Sequence, residues 1–571
     1  MSDSDRLQFA KAIVRVLPDV KLEEKLIEDQ IEIPKDKSHG DLAFPCFYLA
    51  KEMKKAPQKI AEEITEKLSK KFSAKAVGPY VNITLKAEDV TKDIISDILK
   101  EKDKYGKGKK TNKVILVESP GPNTNKPLHL GHLRNILLGD SMKRILQFCG
   151  NDVHIVNVVN DRGVHICKSM FAYKMLGGGK TPKTEKMKSD HFVGGMYVEY
   201  SKLEKKDSKI DEKIQNMLLK WEDDDPEIRA LWKKMNKWAL DGFKETYDRL
   251  GFDIEKEYYE SDTYQGGKDI ILGGLKKRIF EKDEEGAVII DFEKEGLGKK
   301  VLLRANGTSV YITQDINMAN IRYDDYKFDE MIYVVGNEQQ YHFKVLFEVF
   351  KKLGWDFAKH CRHFSYGMVE LPEGKMKSRE GIVVDTDNLL NEVTELAKNE
   401  VLARYDDLTD SEVAKRADII GKGALRFFIL KFDALKNFIF NPKESLSFEG
   451  ETGPYVQYTH ARIASILRKG KVKSVSNVDY KALDGDADKY VAQILSEYPD
   501  VVKKAALDLK PNLICHYLIK LCKAFNSYYV NNPILKSDDN VRNARLALVI
   551  AIKQVIQSGL ELIGIDAPDR M

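Results

Sequence analysis

Cysteine is sparse and unpaired in this sequence. Six cysteines (Cys46, Cys149, Cys167, Cys361, Cys515 and Cys522) are scattered over 571 residues with no Cys-x-x-Cys among them. That spacing excludes a zinc ribbon and a secreted disulfide scaffold; it reads as reduced, mostly buried thiols and no structural zinc. No stretch approaches the length of an apolar membrane span, which argues against a membrane partner. The opening MSDSDRLQFAKAIV has neither the basic start nor the apolar run of an export signal, so a cytoplasmic location is expected. Neither sign of charge dominates: 93 Lys and Arg stand against 89 Asp and Glu, a net charge of +4. A nucleic acid would therefore have to be met by a local patch rather than a basic tail. Internal repeats and low-complexity segments are also missing. What remains is a soluble globular composition, 43% hydrophobic and 32% charged, in a chain long enough for roughly two to four domains.

Residues 1–105 alternate helical and strand patterns and are expected to form a small α/β domain. The charged, glycine-spaced EKDKYGKGKKTNK (101–113) reads as a linker. VILVES (114–119) has the pattern of a buried strand. The segment after it carries Leu133, Ile136, Leu137, Met142, Ile145 and Leu146 at helical spacing, with Gly150 as the stop, and VHIVNVVN (153–160) is a second strand. Strand, helix, strand opens a parallel sheet. Charge-rich helical segments interrupt it before MIYVVG (331–336) resumes the strand pattern, and from about 400 onward nearly everything has helical periodicity.

Two segments look like phosphate sites but lack the context for one. LGGGKT (176–181) resembles the end of a P-loop, yet Lys174 stands where the first glycine belongs and no strand precedes it. Lys-Met-Lys-Ser occurs twice, and the copy at Lys186–Ser189 lies in a charge run of the kind that is usually solvated loop. The copy at Lys375–Ser378 lies between two strand-like runs, HFSYGMVEL and GIVVDT, in an exposed glycine-rich loop, and such loops can close over a substrate. VESPGPNTNKPLHLGHLRN (117–135) is more specific. A proline-stiffened loop leads into a helix whose first turn carries His129 and His132 on one side, with Gly131 between them to admit a ligand close to the backbone. A helix N-terminus suits phosphate. A metal site is the alternative for His-x-x-His, but neither a third ligand nor the His-Glu-x-x-His frame is apparent.

A strand, an H-L-G-H helix, a long insertion, a second half-sheet and then Lys375-Met376-Lys377-Ser378 resembles the class I aminoacyl-tRNA synthetases, whose HIGH and KMSKS signatures bracket a Rossmann-type domain in this order. The finer similarity is to the arginyl-tRNA synthetase family. It is carried by PNTNKPLHLGHLRN, VLLRANGTSVYITQDI (301–316), VVGNEQQYHFKVLF (335–347), ETGPYVQYTHARIASI (451–466), HGDLAFPCFYLAK, VGPYVNITL and the closing IDAPDRM. The resemblance implies an α/β fold in three parts: an N-terminal domain (1–105) that meets the tRNA elbow, a catalytic domain (106–400) with an insertion at about 180–300, and an all-α anticodon-binding domain (401–571). It implies a monomer that uses ATP, with Mg2+ accompanying the nucleotide, L-arginine and tRNA-Arg, forming arginyl-adenylate and then arginyl-tRNA. A synthetase for cysteine or glutamine, a nucleotidyltransferase of the same fold and a non-catalytic RNA-binding derivative are the rivals. The absent zinc ligands, the acidic pocket set, the large helical C-terminal region and the retained histidines weigh against them.

On that resemblance His129, His132 and Lys126 meet the charge on the phosphates, helped by Lys375 and Lys377, while Pro127, Leu130, Gly131, His342, Met376 and Ser378 belong to the ATP site. Ser378 stands where the full signature has its second lysine, and Lys126 is expected to carry the pyrophosphate stabilisation instead. For the amino acid, carboxylates and planar acceptors should surround a guanidinium. Asp315 and Tyr311 are assigned to it, Asn123 and Gln339 to the α-carboxylate or α-amino end, and Glu118 to either. Such a pocket rejects lysine without editing. Tyr455, Tyr458, His460 and Arg462, with Tyr528 and Tyr529 behind them, are the candidates for tRNA bases and phosphates.

Overall fold

The computed structural model describes residues 3–571 apart from 19, 21, 35, 37–38, 69–71, 85–86, 206–208, 371–383 and 473. Its centre is a five-stranded parallel sheet. In chain order the parts that build the site are β1 (Val114–Glu118), α1 (Leu130–Phe148), β2 (Asp152–Val159), α2 (Ser189–Glu204), α3 (Pro226–Leu250) and β3 (Lys256–Tyr259). There follow α4 (Tyr311–Tyr326), β4 (Glu330–Gly336), α5 (Gln340–Lys352) and β5 (Cys361–Tyr366). The spatial order is β3-β2-β1-β4-β5, all parallel. The strand order reverses between β1 and β4, so the crevice at their C-terminal ends is where a ligand belongs.

Alternation along β1 explains the layering. Ile115 and Val117 join the core that holds α1, whereas Leu116 points to the opposite core with Met331, Tyr333, Ile316 and Leu346. Both faces are covered, which is why these strands read as apolar runs. α1 is expected from its periodicity to bury one face, but from Leu133 to Met142 it is enclosed on all sides: Arg134, Asn135, Asp140 and Ser141 are as buried as Leu133 and Ile136. β3 was not anticipated. Its sequence, KEYY, is polar because it is an edge strand with one neighbour.

Between β2 and β3 the chain forms α2, Ile210–Glu222 and α3, with a separate core around Trp221, Tyr200 and Met235. Beyond β3, a three-stranded antiparallel sheet (Glu281–Lys282, Val288–Phe292, Gly298–Leu303) precedes α4. The C-terminal region is helical, with α6 (Thr386–Leu402), α7 (Asp410–Leu430), α8 (Gly453–Lys469), α9 (Asn512–Asn531) and α10 (Asp539–Leu562). Its core is continuous with that of α1.

The N-terminal unit closes earlier than 105. Its own core runs from Phe9 to Ile83 around a three-stranded sheet. The next helix, Ala87–Glu101, places Ile94, Ile95 and Ile98 in the main core, against Asp486–Ser496 and α10. The N-terminal unit docks on Asp486–Ser496 through Asp41, which accepts from Lys489 Nζ at 3.2 Å and Gln493 Nε2 at 2.9 Å.

Candidate active site

β1 ends at Glu118 in the crevice, and the chain crosses to α1 through residues 119–129. Two buried asparagines fix this crossing. Asn157 accepts from the Gly121 N–H at 3.0 Å. Asn135 accepts from Ser119 Oγ at 2.7 Å and donates to the Val334 carbonyl, so the first turns of α1 are pinned between β1 and β4. Residues 128–130 then pair with 384–386: the Leu130 N–H donates to Val384 O at 2.9 Å and the Thr386 N–H to Leu128 O at 3.0 Å.

His129 is the N-cap of α1. Its Nδ1 accepts from the Gly131 N–H at 3.1 Å, and the His129 N–H donates to His132 Nδ1 at 3.2 Å. The two rings stack, 3.9 Å between centroids and 27° between planes. Gly131 is needed for this packing, because an added Cβ would lie 3.0 Å from His129 Cε1. Burial, reinforced by the Lys126 charge, holds His129 down to about 3; burial, the neighbouring imidazole and Lys126 hold His132 well below its ordinary value. Both rings are neutral. With each Nδ1 accepting, each proton sits on Nε2, so the pair offers two N–H donors beside the positive end of α1. Burial also lowers Lys126, which makes no ion pair among the described residues. Of the neighbouring turn residues, Pro127 is half-buried and Leu130 is fully buried.

A second, acidic group of side chains stands at the end of β1, on α4 and just after β3. Glu118 is paired with Arg322, which is 1% exposed. Burial alone would lower that guanidinium; the carboxylate outweighs it, and Arg322 stays charged. Asp315 lies 2.6 Å from His342 Nε2 and raises the histidine against the effect of its burial. Tyr311, at the start of α4, is 82% exposed, which excludes simple core packing. Gln339 is exposed at the start of α5, and Asn123 forms a backbone bridge with Asn160. Glu260 was missed. It follows β3, and burial pushes its carboxyl up to about 7, with Asp161 and Asp315 adding to the shift. Recognising KEYY as an edge strand would have put Glu260 at the crevice.

Residues 94–442 match the family described as tRNA synthetases class I (R), catalytic domain; residues 7–85 match the arginyl tRNA synthetase N terminal domain and residues 456–571 the DALR anticodon binding domain. The arginine–tRNA ligase of Treponema denticola is 47% identical over 560 residues, with 95% of each chain covered. The chain belongs to the arginyl-tRNA synthetase family. The corresponding ligase of Bacteroides thetaiotaomicron is 42% identical, with 96% of each chain covered. The arginyl-tRNA synthetase structure from Thermus thermophilus superposes with a TM-score of 0.81 at 28% identity, covering 99% of this chain and 100% of that one. The Plasmodium falciparum arginyl-tRNA synthetase has the same fold, with a TM-score of 0.75 at 20% identity and 99% and 98% covered.

Lys375, Met376, Lys377 and Ser378 of the synthetase signature loop lie outside the described residues. The flanks of that loop are tied to α1. On one side Arg134 donates to the carbonyls of Gly367, Ala434 and Lys436 and lies 4.8 Å above the Phe438 ring; on the other, 384–386 pairs with the histidine turn.

In the anticodon-binding domain, Tyr458 is 40% exposed, and the Arg462 guanidinium lies between the Tyr458 and Tyr529 rings at 5.5 and 5.6 Å. They line a cavity of about 650 Å³ with Tyr405, Arg416 and Arg468. Tyr455 accepts from Asn526 at 2.9 Å. His460 and Tyr528 are corrected. His460 is 1% exposed and bonded to Pro568 O at 3.0 Å, and Tyr528 is 2% exposed and bonded to Asp488 at 2.7 Å. Both hold helices together and present no surface to RNA. No helix among the described residues is long and apolar enough to cross a membrane.

Proposed function

We infer that the protein activates L-arginine with ATP, releasing pyrophosphate, and transfers the arginyl group from the adenylate to the 3′-terminal ribose of tRNA-Arg. Mg2+ enters with the nucleotide, and the enzyme acts as a cytoplasmic monomer. The observation that carries the assignment is the donor-only histidine pair at the positive end of α1, just after the central strand β1. In the adenylation step the arginine carboxylate attacks the α-phosphate and the bond to pyrophosphate breaks. His129 and His132 donate from Nε2 to phosphate oxygens, and Lys126 meets the charge that grows on the departing pyrophosphate. Lys375 and Lys377 add positive charge, and Gly131, Met376 and Ser378 contact the nucleotide. His342, held by Asp315, borders it.

Asp315 and Glu260 take the guanidinium, with Tyr311 closing over it. Glu118 keeps one oxygen on Arg322 and offers the other to the substrate. Asn123 and Gln339 orient the α-carboxylate and α-amino groups. Tyr458, Arg462 and Tyr529 stack and neutralise tRNA in the helical domain, and the N-terminal unit meets the elbow.

The test is ATP–pyrophosphate exchange with purified protein, with and without total tRNA. Arginine should support exchange, and lysine, glutamine and cysteine should not. A requirement for tRNA would mean that RNA completes the site; exchange with another amino acid, or with none, refutes the assignment.

A further inference from the structure

The first Lys-Met-Lys-Ser copy has no part in the mechanism above, yet Lys188 is not solvated. Its side chain is 16% exposed, and Nζ donates to Thr246 Oγ1 at 2.6 Å while lying 2.7 Å from Asp387 Oδ2 and 3.1 Å from Asp190 Oδ2. His191 Nε2 stands 3.0 Å from Asp385 Oδ2 and 3.6 Å from Asp387 Oδ2, close enough for ion pairing but without the alignment of a hydrogen bond. Asp190 is wholly buried. Three carboxylates this close repel one another unless cations lie among them. Asp190, His191 and Asp387 have the spacing of a small metal site, but the Lys188 ammonium already holds the cation position. The Asp385 and Asp387 carboxylates push His191 up to about 10, so it remains charged at neutral pH.

These carboxylates sit behind the catalytic turn. Asp385 caps α6 by accepting from the Asn388 N–H at 2.9 Å, and its backbone is bridged to His129. The insertion is packed tightly here. A Cβ added at Gly194 of α2 would lie 2.5 Å from Pro127 Cδ, and one at Gly242 of α3 would strike the Asp190 carboxylate. Arg249 of α3 adds a hydrogen bond to Asn391 at 2.8 Å. One cluster thus connects the start of α2, the middle of α3, the cap of α6 and the backbone of His129.

We propose that Lys188 and His191 are positioning residues for adenylation: from the insertion they hold Asp385 and Asp387, and through them the backbone bridge that seats His129. They also cancel carboxylate charge that would otherwise face the incoming triphosphate. This rests on His129 being a phosphate donor, and the experiment separates the two. Arginine-dependent exchange is measured with saturating tRNA on the full-length protein for His191→Gln, Asp385→Asn and the pair together. Each is made alone and in a His129→Asn background, with kcat expressed per folded enzyme from a melting curve.

His191→Gln should lower kcat by about 10- to 100-fold, the scale expected for a displaced catalytic group, and leave KM for arginine unchanged. The Asp385→Asn partner change should recover part of the loss, because it returns the cluster to the parent's balance of charge. In the His129→Asn background the effect of His191→Gln should shrink to less than about 3-fold, because residues acting through one group are not additive. If His191→Gln does not fold, Lys188→Met, which takes the ammonium away from Asp387 and Asp190, carries the same expectations for kcat and for the His129→Asn background, with Asp387→Asn as its partner change. An unchanged kcat per folded enzyme, or a loss of equal size in both backgrounds, overturns the proposal. Near-normal exchange by His129→Asn alone would instead refute the phosphate-donor role on which it rests.

Discussion

Replacing Lys126 by methionine takes one positive charge and almost no volume from the mouth of α1. Lys126 has no carboxylate partner among the described residues, and its charge acts on both imidazoles, so it lies close to them. A cation about 4 Å from a full unit of charge is worth about 4 kcal/mol at an effective dielectric constant of about 20. Pyrophosphate gains only part of a unit on the way to the transition state, so the loss should be about 2–4 kcal/mol, or roughly 30- to 1,000-fold in kcat. KM for ATP should change much less. Stability should move the other way: burial disfavours the ammonium, so the methionine variant should melt at the same temperature or higher. Exchange kinetics and a melting curve on one preparation read both quantities. Activity within a few-fold of the parent, with Lys377→Ala abolishing exchange, would show that the signature lysine and not Lys126 carries the pyrophosphate.

Glu260 must be ionised to accept a guanidinium and is held up to about 7 by burial; kcat/KM for arginine should therefore rise with pH through about 7. Glu260→Gln should flatten that rise and increase KM for arginine by roughly 10- to 150-fold, the range for a lost charged hydrogen bond, as measured by exchange over about one and a half pH units on either side of the transition. Arg426→Met leaves buried Asp140 with Arg144 alone, at 3.1 Å, in place of its 2.7 Å contact and should destabilise the protein by about 1–3 kcal/mol; adding Asp140→Asn should return part of this in urea unfolding. Burial holds His460 down to about 4, below its unfolded value of about 6.5. Its contribution is therefore complete above about 6.5 and lost as the pH falls toward 4, at up to about 1.4 kcal/mol per pH unit. His460→Gln should make acid unfolding shallower over that interval.

Much of this was legible because the physics is local. β1, β2 and β4 are apolar runs covered on both faces, and the histidine turn advertises itself through a proline loop and a helix start. The signal faded where the deciding partner is remote in the chain. Nothing near Arg322 or Arg134 announces burial, because Glu118 satisfies one and the carbonyls of 367–436 the other. Lys188 reads as loop until Asp387 folds back beside it. The helix Ala87–Glu101 follows the N-terminal sheet in sequence, but its isoleucines match the C-terminal helices, so composition could not mark the boundary. KEYY hid for a different reason: an edge strand has only half the apolar requirement of its neighbours.

The two stacked imidazoles have spent their lone pairs on the backbone of their own helix. Each has a single proton to offer and no basic nitrogen with which to receive one. A catalyst of that kind cannot shuttle protons or ligate a cation without uncapping α1; it can only favour oxyanions over everything else that enters the crevice. Selectivity for phosphate is thereby written into the folding of one helical turn, and the turn cannot lose it while it stays folded.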